Sequence, residues 1–417
     1  MQTNFVLDHR RDISLLVFSI IGMLGLAGRG IYLVALSISS FKFASMTDLA
    51  SSFFGAFGMF FCAILLLPTL IYCVRWLKGQ EIRPAKLPPP KGWQVGGLLG
   101  AWVLMIILGL IMNNLPEYGS LVALPFFLLV IAMPVASLAW IAIGGLPVGS
   151  WRRLWAAFGI GMTGSTLVAM LLEYSLVGIA ALAAGIVAAS NPEWLAIFQQ
   201  VRNQITNASD VQSLLTTLAP YLTNPLVLLL ALVFASVLAP IIEETLKPAA
   251  VWLLGKRLRS PAEGFALGAL CGAGFALLEG MLAASGSFLI LGAGLAARAA
   301  SSLMHITTSG LTGWGIASAR MEKRYGRLAW TYLLSISIHG LWNGSVILAA
   351  FGALRLTLPG AGSDPLGILL AFTGMVILGS MLFTIMVLLP IINRRLRPLP
   401  PVTGTPLQSD IIAPPQP

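Results

Sequence analysis

The chain has 417 residues, 57% of them hydrophobic, with a mean hydropathy of +0.89 and only 10% charged side chains. Soluble domains carry about 25% charge, so a water-soluble globule of this size is excluded and a polytopic membrane protein is indicated. The formal charge of +10 would suggest nucleic acid only if the basic residues formed a binding surface, and their placement along the chain speaks against that partner. Cys62, Cys73 and Cys271 lie inside apolar runs, which leaves no disulfide framework and no CxxC metal ribbon.

Crossing a hydrocarbon core of about 30 Å takes about 20 apolar residues, and ten runs qualify. They extend from Ile13 to Ser37, Ser52 to Val74, Trp93 to Met112, Leu121 to Ile143, Ala156 to Ala184, Pro225 to Leu254, Gly264 to Ala284, Phe288 to Ala319, Ala329 to Ala350 and Leu366 to Ile391. Several are long enough to imply tilt, a broken helix or extension past the bilayer. The first is too long for a signal-peptide core and has no small-residue cleavage site, so it reads as a retained anchor.

Basic residues alternate with this count. Arg10 and Arg11 precede span one; Arg75, Lys78, Arg83, Lys86 and Lys91 follow span two; Arg152 and Arg153 follow span four. Lys256, Arg257 and Arg259 follow span six, Arg320, Lys323, Arg324 and Arg327 follow span eight, and Arg394, Arg395 and Arg397 follow span ten. The opposite loops hold only Lys42, Arg202 and Arg355. The positive-inside rule then predicts both termini in the cytoplasm of a multi-pass cell-membrane protein.

The expected architecture is an all-α transmembrane bundle in four regions. Residues 1–190 form an N-terminal five-span region and 191–224 a non-cytoplasmic segment; residues 225–393 form a five-span core, and 394–417 a Pro-rich disordered tail. Within 191–224, Trp194, Phe198, Val201 and Ile205 recur at helical spacing and predict an amphipathic helix on the outer membrane surface or capping the bundle. An ordinary connector packed on the bundle is the plainer role for it; a substrate gate is the sharper one.

An ionisable side chain at bilayer depth costs roughly 3 kcal/mol on insertion scales, so each one asks for a reason. The first half has Arg29 and Glu173, read as a pair bridging the N-terminal helices or as snorkelling side chains. The second half has Glu243, Glu244 and Lys247 in span six, Glu279 in span seven, Arg298 and His305 in span eight, and His339 with Asn343 in span nine. Counted from the nearest cytoplasmic charge, Glu243, Glu279, His305 and His339 all lie 12 to 16 residues deep, about 18 to 24 Å at helical rise. One polar layer inside the membrane is expected. Pro240 and Pro248 flank the double glutamate, remove backbone donors there and predict a kink with freed carbonyls. Gly272 and Gly274 predict a close helix approach beside Phe275 and Glu279.

Paired carboxylates beside a cation and histidines are what water activation requires. Glu243 or Glu244 can serve as the base, while His305, His339 and the Asn343 amide can donate to an oxyanion. Alternatively, His305, His339 and a glutamate such as Glu279 can hold a divalent metal such as zinc with a position open for water. No HExxH, GxSG or GxGD is present, and Asp364 falls in an outer loop. Two other classes fit polar spans. One is a proton- or ion-coupled transporter, which often shows such residues in two repeated halves rather than massed in one. The other is an inactive scaffold of the same fold.

The motifs IIEETLK (Glu243, Glu244, Lys247), GFALLEG (Phe275, Glu279), Arg298 followed by MHITTSG (His305), and HGLWN (His339, Asn343) resemble the PrsW family of intramembrane proteases. That family is related to the CaaX-protease and bacteriocin-processing group. The resemblance covers Pro225 to about Ala350. It implies hydrolysis of membrane-anchored protein substrates, with the first glutamate activating water, Glu279 and the histidines completing the centre, Asn343 supporting the oxyanion, and Lys247 and Arg298 assisting. One departure stands out: Gly280 follows Glu279 where the family pattern usually has Asn.

Overall fold

Backbone amides in hydrocarbon have no water to bond, so long apolar runs satisfy them internally as helices. The computed structural model describes residues 2–40, 46–207, 217–219, 221, 223–285, 291–357 and 364–398. It is 88% helical, and no strand forms among the described residues. The Pro-rich tail expected to be disordered lies, from residue 399, outside them, as do Lys42 and parts of 191–224.

The helices in chain order are α1 (Gln2–Ser40), α2 (Met46–Leu65), α3 (Leu67–Leu77), α4 (Gly92–Asn113) and α5 (Gly119–Ile143). Next, α6 (Trp151–Gly159) runs through a π turn, Ile160–Ser165, into α7 (Thr166–Ala189), and α8 (Pro192–Thr206) follows. Span six is α9 (Pro225–Val233), a π turn Phe234–Leu238, α10 (Ala239–Leu246) and α11 (Ala249–Leu254). The remaining helices are α12 (Pro261–Ser285), α13 (Leu291–Glu322), α14 (Tyr325–Thr357) and α15 (Pro365–Leu396).

Nine segments among the described residues are long and apolar enough to cross a membrane. The tenth expected span is α13, which is 32 residues long but falls short in hydropathy. The cause is its polar cargo: Arg298, Ser301, Ser302, His305, Thr307, Thr308, Ser309 and Thr312. All of these except the partly open Arg298 are buried, so α13 is enclosed by the other helices.

Helix α12 is the hub. Its apolar window is 89% buried, against 6% for α4 at the periphery. The predicted close approach is present. A Cβ added at Gly272 would come within 2.4 Å of the His305 carbonyl on α13, and one at Gly274 within 2.1 Å of the Phe158 carbonyl on α6. Glycine here lets backbones touch where any side chain would separate them.

The basic loops gather at one end of the bundle, as alternating topology requires. Arg152 pairs with Asp12 across spans, Arg153 Nη1 donates to Glu263 at 2.6 Å and its Nη2 to the Arg257 carbonyl at 3.2 Å. Asn393, one turn before Arg397, donates to the carbonyls of Ala142 and Gly144. The 79–91 loop runs beneath the same turn, with Gly145 N donating to Leu87 O at 2.7 Å.

The amphipathic helix expected in 191–224 is α8, started by Asn191, whose side chain accepts from Glu193 N. Its stripe does not pack on the bundle: no residue of α8 is buried, and Trp194, Phe198 and Ile205 are exposed. An exposed apolar stripe on a helix without core contacts suits an interfacial position better than a packed connector.

Candidate active site

Span six shows how sequence builds the centre. In the π turn the Ala239 amide bonds to Phe234 O, so in the same register the next carbonyl, Ala235 O, would need an N–H from residue 240. Pro240 has none. Asn343 on α14 supplies it, donating from Nδ2 to Ala235 O at 2.9 Å. At the second break, Pro248 ends α10, and side chains take the loosened carbonyls: Ser165 Oγ donates to Leu246 O at 2.8 Å and Trp252 Nε1 to Thr245 O at 3.1 Å. Between the breaks, two turns of helix aim Glu243, Glu244 and Lys247 into the bundle.

Glu244 and Lys247 are fully enclosed. A buried charge persists only when paired and hydrogen-bonded, and both are. Glu244 Oε1 accepts from Lys247 Nζ at 2.8 Å, from Thr308 Oγ1 at 3.1 Å and from His339 Nδ1 at 2.9 Å. Lys247 Nζ stands 3.3 Å from the same nitrogen, but the acceptor-only carboxylate is closer at 2.9 Å, which assigns the proton to His339 Nδ1 and the lone pair to Nε2. That lone pair is met by Asn343 Nδ2 at 3.2 Å, and Glu243 Oε2 stands 3.8 Å away. Lys247 Nζ also pairs with Glu243 Oε2 at 2.8 Å and lies 4.6 Å from the centroid of the Phe275 ring, a cation over an aromatic face.

The second histidine is backed in the same way from another helix. His305 Nε2 bonds Glu279 Oε2 at 2.8 Å, and Arg298 Nη1 donates to the other oxygen, Oε1, at 3.1 Å. The carboxylate therefore assigns the His305 proton to Nε2, leaving Nδ1 with its lone pair. The two imidazoles meet edge to face with centroids 5.2 Å apart, and Phe275 flanks His305 at 5.5 Å.

Three ligand-type atoms converge in the middle. Glu243, His305 and His339 each offer one within 4.8 Å of the others. Buried polar atoms are normally hydrogen-bonded, yet His305 Nδ1 and Glu243 Oε2 have no hydrogen-bond partner, Glu243 being held only by its ion pairs. The unpartnered His305 Nδ1, facing Glu243 and His339 with carboxylates on the far nitrogens of both histidines, fits a divalent metal that would displace the contacts of Glu243 with Lys247 and of His339 with Asn343. His₂Glu is a catalytic zinc donor set, and carboxylate backing orients metal-binding imidazoles.

The structure thus brings together Glu243, Glu244, Lys247, Glu279, Arg298, His305, His339 and Asn343, the full set nominated from sequence. It sorts them differently in two respects. The carboxylate grouped with the two histidines is Glu243, whereas Glu279 bonds the far side of His305. The Asn343 amide is spent on Ala235 O and His339, so it braces the centre instead of standing free for an oxyanion. Arg29 and Glu173 do not form the expected N-terminal pair. Arg29 is exposed, while Glu173 on α7 reaches the centre, within side-chain hydrogen-bonding range of Glu243. Its depth in span five was the only available signal, and no local motif marks it. At Gly280 a Cβ would meet Ile131 on α5 at 3.1 Å, so a side chain there would ask Ile131 to give by a few tenths of an ångström.

A family model described as PrsW family intramembrane metalloprotease matches residues 149–378. The match begins before α6 and so takes in Glu173, upstream of the motifs that carry the sequence resemblance. No curated protein and no solved structure matches the chain.

Proposed function

The chain belongs to the PrsW family of intramembrane metalloproteases, and we propose that it hydrolyses peptide bonds of membrane-anchored proteins at the Glu243–His305–His339 centre. The observation that carries this reading is the convergence of three ligand-type atoms with carboxylates backing both histidines. Glu243, His305 and His339 would hold the metal. When bound, a divalent ion such as zinc supplies Lewis acidity toward water and toward the scissile carbonyl.

The chain's own residues then divide the work. Glu244 and Glu279 hold the two imidazoles in the tautomers that present a lone pair inward. Lys247 neutralises the paired glutamates, and Asn343 ties α14 to the broken span six so that His339 keeps its place. With the basic end of the bundle in the cytoplasm, both termini are cytoplasmic and the centre lies within the bilayer of the cell membrane. Residues 225–393 form the catalytic core, which draws Glu173 from the N-terminal region.

A second reading rests on Lys247. Its ammonium already neutralises Glu243 and Glu244 at 2.8 Å each, as a glutamate-based hydrolysis with Glu243 as general base requires. The two are separated by assaying purified protein on single-span substrates before and after chelation, with metal content measured in parallel. The metal reading expects bound metal, loss of cleavage on chelation, and joint loss of metal and cleavage in His305→Ala and His339→Ala. Cleavage that survives complete metal removal but not Glu243→Gln would establish the second reading. Equal cleavage by all variants would sink both.

A further inference from the structure

Three ionisable side chains at the centre do not share its burial. Glu279 and Arg298 keep 33% and 31% of their side-chain surface open, and Glu173 is half-buried, while His305, His339, Glu244 and Lys247 are sealed. They come from three helices, α12, α13 and α7, and Arg298 stands seven residues from His305 on the same face of α13, about 10 Å along its axis.

Glu279, 16 residues from Glu263, lies at bilayer depth. A charged side chain there faces the bundle interior or a water-filled cavity, because its open surface cannot be left on hydrocarbon. Arg298 and Glu173 lie nearer the far membrane edge and lead outward from it. Snorkelling does not relieve these groups. The Glu279 carboxylate is held at both oxygens, by His305 Nε2 and Arg298 Nη1, and that bond fixes the guanidinium in turn. Glu173 adds an independent sign: its Oε1 is enclosed and has no hydrogen-bond partner, the situation in which an ordered water completes a buried polar group. The other opening near the centre differs in charge. A cavity of about 320 Å³ beside Gly340 and Ser236 is lined by Leu232, Val237, Leu341 and Ile377 and carries no ionisable side chain.

We propose that Glu173, Glu279 and Arg298 form the polar mouth of a water-filled passage between α7, α12 and α13 that admits water to the Glu243–His305–His339 centre. As the route of the hydrolytic water it rests on the proposed hydrolysis; as an aqueous opening within the membrane it does not.

Cysteine accessibility in liposomes tests it, since Cys62, Cys73 and Cys271 are all buried and the background is low. Arg298→Cys and Glu173→Cys, at two of the three partly open side chains, are compared with Leu341→Cys at the apolar cavity. The probe is a positively charged, membrane-impermeant methanethiosulfonate. Because that reagent needs a thiolate, and thiolates form only in contact with water, both mouth variants are expected to react at least about tenfold faster than Leu341→Cys. If Arg298→Cys does not fold, Glu173→Cys alone decides. Folded mouth variants that react no faster than Leu341→Cys would overturn the passage. If labelling of Glu173→Cys lowers its cleavage of a single-span substrate, the passage feeds the centre; labelling with unchanged cleavage overturns that role. Labelling of a protein that never cleaves would count against the hydrolytic reading and leave the opening standing.

Discussion

The two histidines are backed by carboxylates in the same way, but in opposite surroundings. Glu244–His339 is sealed, and its carboxylate oxygen accepts from three side chains on three helices. Glu279–His305 is one-third open at the carboxylate and is shared with Arg298 alone. In a low-dielectric interior an unpaired charge is far costlier than at an open edge. The first arm is therefore part of what holds the bundle together, while the second positions His305 at a partly open edge of the centre.

The largest expected effect removes what both arms serve. His339→Ala or Glu243→Gln should abolish cleavage, measured with purified protein on a single-span substrate, while most of the thermal stability of Glu243→Gln is retained. Next comes the sealed arm. Glu244→Leu leaves Lys247 with Glu243 as its one carboxylate partner and takes the acceptor from Thr308 and His339. Breaking a buried pair costs about 3–5 kcal/mol, so thermal unfolding in detergent should show a strongly destabilised protein. A stable Glu244→Leu protein would erase the distinction between the arms.

The open arm should behave in the reverse sense. Glu279→Gln keeps a hydrogen-bond acceptor but loses the charge behind His305, and loss of such an outer partner lowers metal affinity or activity about 10–100-fold. Metal titration and cleavage should register it, with little change in unfolding. Smaller again is Thr308→Val, which takes one donor from Glu244 and should cost about 1 kcal/mol in unfolding free energy. Smallest is Gly280→Ala: its Cβ at 3.1 Å from Ile131 asks that side chain to shift by a few tenths of an ångström, and unfolding should move by less than about 1 kcal/mol.

Much of this site was legible along the chain because membrane burial makes charge conspicuous. Glu243, Glu279, His305 and His339 announced themselves by depth alone, and Pro240 and Pro248 by the donors they lack. Their division of labour was not legible. Glu243 and Glu244 are adjacent and chemically identical, and only the helix rotation between the two breaks directs one to the open centre and the other to Lys247, Thr308 and His339. Glu173 was misassigned for a related reason: span five says that a carboxylate is deep, but not which neighbour it meets. The exposed stripe of α8 shows the same limit, since periodicity predicts an amphipathic helix and is silent on what its apolar face touches.

By itself, then, the amino-acid sequence determined the class of molecule, the number of long apolar runs and the list of side chains at the centre. These follow from hydropathy, helical rise and the cost of charge in hydrocarbon, all of which act on each segment alone. The tertiary structure decided which nitrogen of each histidine points inward, which glutamate joins the two histidines, and where the centre is open. Each of these depends on atoms from helices far apart in the chain, brought within 3 to 5 Å by glycine contacts and proline breaks whose partners no local pattern names.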